Sequence, residues 1–236
     1  MHRKLLVVTG GTKGIGRAVA TRFAAGDFDV ATCARSAADL TALADDLRRR
    51  NTDLQVHTHP ADLSDKAGVL GFADFVGALN RPVDVLVNNA GFFVPGQLHQ
   101  EDDEVLEKML RTNLLSAYYL TKRLTPDMIA RRAGHVFNVG SIAGVTAYPN
   151  GGAYGVTKFA VRGFSLVLRE ELKPHGVRVT HVLPGATLTD SWSGTDLPPE
   201  RFMPPEDVAA ALWSAWEMSD RTVVEEIVLR PQLGDL

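Results

Sequence analysis

The segment Tyr154-Gly155-Val156-Thr157-Lys158 places a phenol and an ammonium group four residues apart. If the segment is helical, both side chains project from the same face. A neighbouring cation stabilises phenolate over phenol and so lowers the tyrosine pKa from about 10 toward the working pH, as an acid–base catalyst requires. Ser141, thirteen residues earlier, would offer a hydroxyl to the same oxygen. The pattern predicts proton transfer at a carbonyl or alcohol, although the same spacing also occurs on helices without any chemical role.

The first apolar run is followed by a glycine-rich turn. Leu5 to Val8 is continuously apolar, which is typical of a strand buried on both faces of a parallel sheet, and helical periodicity begins after the turn. Glycines let a backbone approach a pyrophosphate, and a helix N-terminus directs free N–H groups at the anion. The spacing departs from G-x-G-x-x-G, so a tight turn without a ligand is the alternative. We predict cofactor contacts at Gly10, Thr12, Lys13, Gly14, Ile15 and Gly16.

The end of the second predicted strand, Val30 to Ala34, bears on the choice of cofactor. An NAD site normally has Asp or Glu at this point to bind the ribose 2′-hydroxyl. This chain has Ala34 followed by Arg35 and Ser36, and its nearby acids Asp27 and Asp29 precede the strand. Arg35 and Lys13 would offer two cations to a 2′-phosphate, so NADP is favoured over NAD. A solvated surface arginine is the alternative for Arg35.

Further strands alternate with helices along the chain, which predicts an α/β fold with a doubly wound parallel sheet. Ligands of such sheets bind at the carboxyl ends of the strands. The predicted strands are Leu54 to His59, Val83 to Val87, His135 to Ser141, Val177 to Leu183 and an edge strand, Val223 to Leu229. The residues at or just after strand ends are Gly10, Ala34, Asp62, Asn88 and Ser141.

Three further features of the sequence allow more than one interpretation. Asp62, followed by Leu63, could cap the next helix or meet the exocyclic amine of an adenine. The small residues Asn89, Ala90 and Gly91 could let a cofactor ribose lie against the backbone, or could form a plain turn. Asn113 lies within a helical pattern that runs from Glu101 to about Thr125, where its presence needs a local bend, a solvated face or a buried polar role.

The segment 186–205 is irregular and follows a strand end, Pro184-Gly185, that should face the ligand. A loop this long in a compact domain is usually functional or disordered, and its position favours a lid over the substrate. It contains Thr187 and Thr189. A last helix is predicted from Pro205 to Met218. With no internal repeat or linker, residues 1–236 are predicted to form one nucleotide-binding domain.

Composition excludes several classes of function. The chain has 236 residues and a formal net charge of -3, so it lacks the basic surplus that nucleic-acid binding requires. Its apolar runs are too short to span a membrane. The single cysteine forbids an intrachain disulfide, and the seven histidines show no metal-ligand spacing. We therefore expect a cytoplasmic protein that binds no metal, nucleic acid or membrane.

The motifs together resemble the short-chain dehydrogenase/reductase family, in its branch of about this length. They follow the family's order across most of the chain and are the glycine turn Thr9 to Gly16, Asn88-Asn89-Ala90-Gly91, Asn113, Ser141, Tyr154-x-x-x-Lys158 and Pro184-Gly185. The resemblance implies a Rossmann-type sheet of about seven strands and a catalytic tetrad of Asn113, Ser141, Tyr154 and Lys158. By the same resemblance, Lys158 would hold the nicotinamide ribose hydroxyls and Thr189 would contact the carboxamide. The other cofactor contacts that it implies are Tyr154, Pro184, Gly185 and Thr187.

The resemblance also implies the reaction. Hydride passes from NADPH to a carbonyl carbon, and Tyr154 protonates the oxygen. The substrate would be a small ketone, aldehyde or 3-oxoacyl group. Its apolar pocket could be lined by Phe92, Phe93, Val94, Ile142, Tyr148 and Trp192, with packing in the core as the alternative for each of them. A non-catalytic NADP-binding sensor or scaffold, and an epimerase or dehydratase on the same fold, are the alternatives.

The family resemblance further implies a homo-oligomer. A homodimer would form through the helices that carry Asn113 and Tyr154, whose outer faces keep Phe159 and Phe164. The tail after Leu229 lacks the glycine-rich, longer form that often completes a tetramer. Both a homodimer and a homotetramer therefore remain open from the sequence.

Overall fold

The computed structural model describes residues 3–236 and contains a seven-stranded parallel sheet in the order β3-β2-β1-β4-β5-β6-β7. The sheet confirms the predicted doubly wound α/β class. Its strands are β1 Lys4–Thr9, β2 Phe28–Ala34, β3 Val56–Pro60, β4 Val85–Asn88, β5 His135–Val139, β6 Arg178–Pro184 and β7 Glu226–Leu229. The helices are α1 Gly14–Ala25, α2 Ala37–Arg50, α3 Lys66–Gly77, α4 Glu104–Leu110, α5 Ser116–Arg131, α6 Gly152–Leu172 and α7 Pro205–Trp216.

Alternate residues of the central strands enter two separate cores because successive strand side chains point to opposite faces. Leu6 and Val8 of β1 pack with residues of α1, α2 and α7. Leu5 and Val7 pack with residues of α3, α5 and α6 on the other face. The continuous apolar run that predicted a strand buried on both sides has this physical origin.

The order of the strands reverses between β1 and β4, which creates a crevice at their carboxyl ends. The Thr9 hydroxyl oxygen accepts hydrogen bonds of 2.9 Å from the backbone N–H groups of Asn89 and Ala90. The Asn89 side-chain amide donates to the Thr9 carbonyl oxygen, also at 2.9 Å. These bonds hold the glycine turn after β1 against the turn after β4, on the edge where the sequence places the site.

Several element boundaries differ from the sequence prediction. The helix expected from Glu101 begins at Glu104, and a π-helical turn at Arg111–Leu115 divides it. The last helix ends at Trp216, and the last strand begins at Glu226. The helix expected after Asp62 is α3, which begins at Lys66, and the side chain of its N-cap residue Asp65 makes no cap hydrogen bond.

The sequence predicts that Asp29 precedes the second strand, but Asp29 lies inside β2. Its carboxylate is 2.6 Å from Arg81 and accepts a 2.9 Å hydrogen bond from the backbone of Gln55. An ion pair and a backbone donor let a strand carry an acid in its buried interior. Asp29 nevertheless occupies the amino end of β2, away from the candidate site. Among residues 3–236, no helix has the length and apolar character needed to cross a membrane.

Candidate active site and cofactor cleft

Tyr154 and Lys158 lie one turn apart near the start of α6, on the same face as predicted. The Lys158 ammonium is 5.5 Å from the centre of the Tyr154 ring. Only 5% of Lys158 is exposed, and its Nζ donates a 3.1 Å hydrogen bond to the carbonyl oxygen of Val139, the last residue of β5. This bond to the end of the strand fixes the ammonium over the ring of Tyr154.

The pKa of the phenol moves opposite to the direction that the sequence suggested. Burial raises the pKa of Tyr154 to about 12, and an interaction with the Ser141 side chain opposes that rise. Burial also lowers the pKa of Lys158 to about 8. The ammonium lies over the aromatic ring and bonds a carbonyl, so loss of solvent outweighs its attraction for a phenolate.

Asn113 lies in the π-helical turn Arg111–Leu115 and is 4% exposed. Its Oδ1 accepts a 2.9 Å hydrogen bond from the Phe92 N–H, and its Nδ2 donates to the Phe92 carbonyl at 3.0 Å. Nδ2 also lies 3.2 Å from the Thr157 hydroxyl oxygen. Of the three explanations that the sequence left open, the backbone distortion and the buried polar role both apply.

Ser141 follows β5 and caps a short 3-10 helix, Ile142–Gly144, accepting a 3.1 Å hydrogen bond from the Ala143 N–H. Gly91, which follows β4, lies next to Asn113 and Lys158. A Cβ on Gly91 would lie 3.2 Å from Asn113 Oδ1 and 3.7 Å from Lys158 Nζ. The four predicted tetrad residues therefore come together at the carboxyl ends of β4 and β5, beside a backbone that has no side chain.

The glycine turn has the conformation that an anion cradle requires. Gly10 and Gly14 have φ angles of +66° and +50°, which disfavour other residues. A Cβ on Gly16 would overlap the Gly10 carbonyl oxygen. Helix α1 begins at Gly14, and no side chain caps its first N–H groups. A pyrophosphate could bind at these N–H groups. The neighbouring Ile15 packs against the core, and Thr12 is half-buried.

The two cations predicted for a 2′-phosphate have different partners in the structure. Arg35 is exposed just after β2 and is not part of an ion pair within residues 3–236. Hydrogen bonds with Ser64 lower the pKa of Asp62, and the charge of Arg35 adds to that effect, so these two residues share one corner. Lys13 instead forms an exposed 3.0 Å ion pair with Asp190. The Ser36 hydroxyl caps α2 by accepting from the Asp39 N–H, and Leu63 is buried in the core.

Hydrogen bonds anchor the start of the segment after β6. The Gly185 N–H donates to the Leu229 carbonyl at 2.8 Å, and the buried Thr187 hydroxyl donates to the Gly185 carbonyl at 3.1 Å. Leu188 then pairs with Met203. Beyond this point a Cβ on Gly14 would lie 2.9 Å from the Thr189 methyl group, which places Thr189 on the glycine turn. Segment 186–205 contains two short 3-10 helices, Asp190–Trp192 and Pro199–Arg201.

Of the apolar residues expected to line a substrate pocket, Phe93 has the most direct contact with the site. Its ring centre is 4.8 Å from that of Tyr154, at an interplanar angle of 69°. Trp192 packs on Phe202 within segment 186–205, with ring centres 5.1 Å apart. Phe92, Val94 and Tyr148 are exposed on neighbouring loops.

Two acidic residues contact this region although the sequence predicts no such role for them. Asp190 directly follows Thr189, and this adjacency to a predicted cofactor residue was the available signal. Glu101 contacts the start of α6 from a separate loop, and no local pattern indicates that contact. It borders a hollow of about 320 Å³ lined by Val94, Gln97 and Asn150. A larger hollow of about 560 Å³, between Lys4, Arg178 and Trp216, lies at the amino ends of the strands, away from the tetrad.

Comparison with known proteins places these features in a family. The sequence model of the family described as short chain dehydrogenase matches residues 4–197. Sepiapterin reductase of Chlorobaculum tepidum is 36% identical over 99% of this chain and 98% of its own. An NADP-dependent 3-hydroxy acid dehydrogenase of Salmonella typhi is 34% identical over 89% of this chain and 87% of its own. The crystal structure of an alcohol dehydrogenase from the archaeon Thermococcus sibiricus, complexed with 5-hydroxy-NADP, superposes with a TM-score of 0.90 at 29% identity, covering 97% of each chain.

Proposed function

Because this chain belongs to the short-chain dehydrogenase family, we propose that it is an NADP-dependent oxidoreductase that interconverts a small carbonyl compound and its alcohol. The observation that carries the proposal is that Lys158 lies next to the Tyr154 ring, while Lys158 and Asn113 both lie beside the bare backbone of Gly91. Tyr154 and Lys158 lie on successive turns of α6, and Asn113 lies in the π-helical turn. Packing of the core does not by itself require a phenol, an ammonium and an amide to lie together. A proton donor beside a cofactor cleft is what carbonyl reduction needs.

When bound, NADPH supplies a hydride to the carbonyl carbon. Tyr154 acts as the general acid that protonates the carbonyl oxygen, and Ser141 orients that oxygen. A phenol with a pKa of about 12 stays protonated at neutral pH and is ready to donate. Lys158, with a pKa of about 8, is mostly cationic at pH 7 and stabilises the phenolate left behind. In the reverse direction the same phenolate accepts the alcohol proton.

The cofactor assignment rests on the corner formed by Arg35 and Asp62. Arg35 is exposed where a 2′-phosphate would lie, and no acid stands at the end of β2 to bind a ribose 2′-hydroxyl. In this proposal Asp62 would accept from the adenine amine, and residues 89–91 would lie against the ribose. The NADP dependence of the Salmonella relative and the 5-hydroxy-NADP complex of the archaeal neighbour support the same preference.

The substrate class is a ketone, aldehyde or 3-oxoacyl group. The relatives named above act on different compounds, so the substrate depends on loops that vary around a common site. Here those loops carry Phe93, Ile142 and Tyr148, with segment 186–205 as the lid. Apolar rings beside Tyr154 favour a substrate with an apolar group next to its carbonyl. We propose that residues 1–236 act as one domain in this reaction.

A homo-oligomer is part of the proposal. Helices α5 and α6 expose apolar side chains at Tyr118, Phe159, Leu166 and Val167, all more than two-fifths exposed. An apolar patch on two neighbouring helices supports a homodimer, with a homotetramer as the larger alternative. A buried free thiol at Cys33 is consistent with a cytoplasmic location.

Replacement of Tyr154 tests the activity directly. Tyr154→Phe should bind NADPH as the wild type does in a fluorescence titration, yet lose at least about a thousand-fold in NADPH oxidation with a panel of ketones, aldehydes and 3-oxoacyl esters. Tighter binding of NADH than NADPH would contradict the cofactor assignment. Binding without turnover of any carbonyl by the wild type would favour a sensor. Product formation without net cofactor oxidation would favour an epimerase or dehydratase.

A further inference from the structure

The helix that carries Tyr154 begins without a local cap. Its N-cap position is Gly151, and Gly152 follows with a φ of +38°. No side chain at the N-cap accepts a hydrogen bond from the first turn. Two successive glycines have wide conformational freedom, and the first N–H groups of any helix need a partner outside it. The local sequence therefore does not fix where Tyr154, the third residue of α6, is held.

Glu101 supplies the missing cap from 52 residues away in sequence. Both of its carboxylate oxygens lie 3.1 Å from the backbone nitrogen of Ala153, the residue immediately before Tyr154. An anion at a helix N-terminus also interacts favourably with the helix dipole. Beside it, the Gly96 N–H donates to the Asn150 carbonyl at 3.1 Å, which fastens the same two segments a second time.

The segment that Glu101 anchors also contacts the tetrad at its other end. The N–H and carbonyl of Phe92 both bond the Asn113 side chain, and the Phe93 ring packs against Tyr154. Gly152 leaves room for the carboxylate, because a Cβ there would overlap Glu101 Oε1. The loop from Phe92 to Glu101 is thus bonded to the π-helical turn that carries Asn113 and to α6, which carries Tyr154 and Lys158.

We propose that Glu101 is a positioning residue that sets the orientation of Tyr154 and of the substrate-facing Phe93 through its hydrogen bond with Ala153. The inference rests on the proposed role of Tyr154 as proton donor. Loss of the acceptor frees the first turn of α6 and the loop together. A displacement of about 1 Å at a reacting group can cost about a hundred-fold in rate.

The test compares Glu101→Ala with Glu101→Gln, whose amide oxygen still accepts from Ala153. The probe is the carbonyl compound that the wild type reduces fastest in the panel above. Glu101→Ala should lower kcat about ten- to a hundred-fold and raise the KM of the carbonyl several-fold, with the NADPH dissociation constant within two-fold. Glu101→Gln should restore kcat to within about three-fold of the wild type. The exposed neighbour Gln100→Ala serves as the matched control.

Amide hydrogen exchange across residues 151–155 gives a readout that is independent of turnover, and it should be faster in Glu101→Ala only. Should that variant fail to fold, Glu101→Asp replaces it, because its carboxylate is one methylene short of Ala153. A wild-type kcat and KM in Glu101→Ala, or an equal loss in Glu101→Gln, overturns the inference. Retention of turnover by Tyr154→Phe would instead overturn the proposed function, and the exchange result would still test the cap.

Discussion

Lys13 and Asp190 form an ion pair of 3.0 Å that joins the glycine turn after β1 to the segment after β6. Both side chains are more than three-fifths exposed, and the hydrogen bond with Asp190 raises the pKa of Lys13. Thr189, the residue before Asp190, touches Gly14 of the same turn. The lysine expected to meet a 2′-phosphate is therefore shared with an acid at the start of the proposed lid.

Removal of that acid should favour the phosphorylated cofactor. In Asp190→Asn, the freed Lys13 should tighten NADPH binding about two- to five-fold, the value of an exposed ion pair, with little change for NADH. The gain should shrink at high salt because exposed charges are screened. Fluorescence titrations at low and high salt measure it, with the exposed Asp196→Asn as control. Equal effects on both cofactors would show that the pair acts on closure of the segment and not on phosphate recognition.

The tight fit of Gly16 yields a second prediction. A methyl group at this position would overlap the Gly10 carbonyl oxygen and lie 2.5 Å from Asn89 Nδ2. Gly16→Ala should cost about 1–3 kcal/mol in the free energy of unfolding and lower Tm by several degrees, while NADPH affinity falls at least about ten-fold because the cradle must shift.

The matched control is Gly77→Ala at the end of α3, where a Cβ meets nothing within 4 Å. It should leave cofactor affinity unchanged and hold or raise Tm, since alanine favours helix over glycine by up to about 1 kcal/mol. Calorimetry and NADPH titration of both variants decide the matter. A Gly16→Ala protein with wild-type affinity would show that the turn does not approach the cofactor.

The sequence predicts the sheet, and it predicts that the candidate residues lie at one edge of the sheet. Both predictions depend on local patterns of apolar residues. Apolar runs ending in Gly10, Asn88 and Ser141 place those residues on one edge, whatever the details of packing. The contacts of Asp190 and Glu101 were invisible because each joins segments far apart in the chain. The pKa direction of Tyr154 failed for a related reason, since desolvation is a property of the folded surroundings and not of a four-residue spacing.

Burial of the Lys158 ammonium should destabilise the fold below its pKa. The folded value of about 8 lies below the ordinary 10.5, so the cost is full below pH 8 and disappears as the pH rises toward 10.5. Lys158→Met should therefore be more stable than the wild type by up to about 3 kcal/mol at pH 7, less the lost hydrogen bond to Val139. Its turnover should be abolished.

Urea unfolding of Lys158→Met and the wild type at pH 7 and at pH 10 measures the difference, which should narrow at the higher pH. Lys122→Met, on the exposed face of α5, is the control and should show no such narrowing. A difference that stays constant between the two pH values would mean that the ammonium is well solvated in the folded protein.

Replacement of Asn113 by aspartate separates its donor and acceptor roles. The acceptor toward the Phe92 N–H is kept, but the second oxygen now faces the Phe92 carbonyl at about the 3.0 Å of the present bond. Asn113→Asp should lose at least about 2 kcal/mol of stability at neutral pH, because a buried acceptor faces an acceptor. Protonation restores a donor, so the loss should diminish as pH falls through the raised pKa of the introduced carboxyl.

Unfolding of Asn113→Asp at pH 5 and pH 8, relative to the wild type at each pH, measures this recovery. Asn80→Asp is the control, since the amide of Asn80 donates to the Ala78 carbonyl on the exposed surface. It should show a small loss with little dependence on pH. If Asn113→Asp were equally stable at both pH values, its side chain would have turned away from Phe92. The Phe92 end of the loop would then have lost its hydrogen bonds to the π-helical turn, and the KM of the carbonyl substrate should rise.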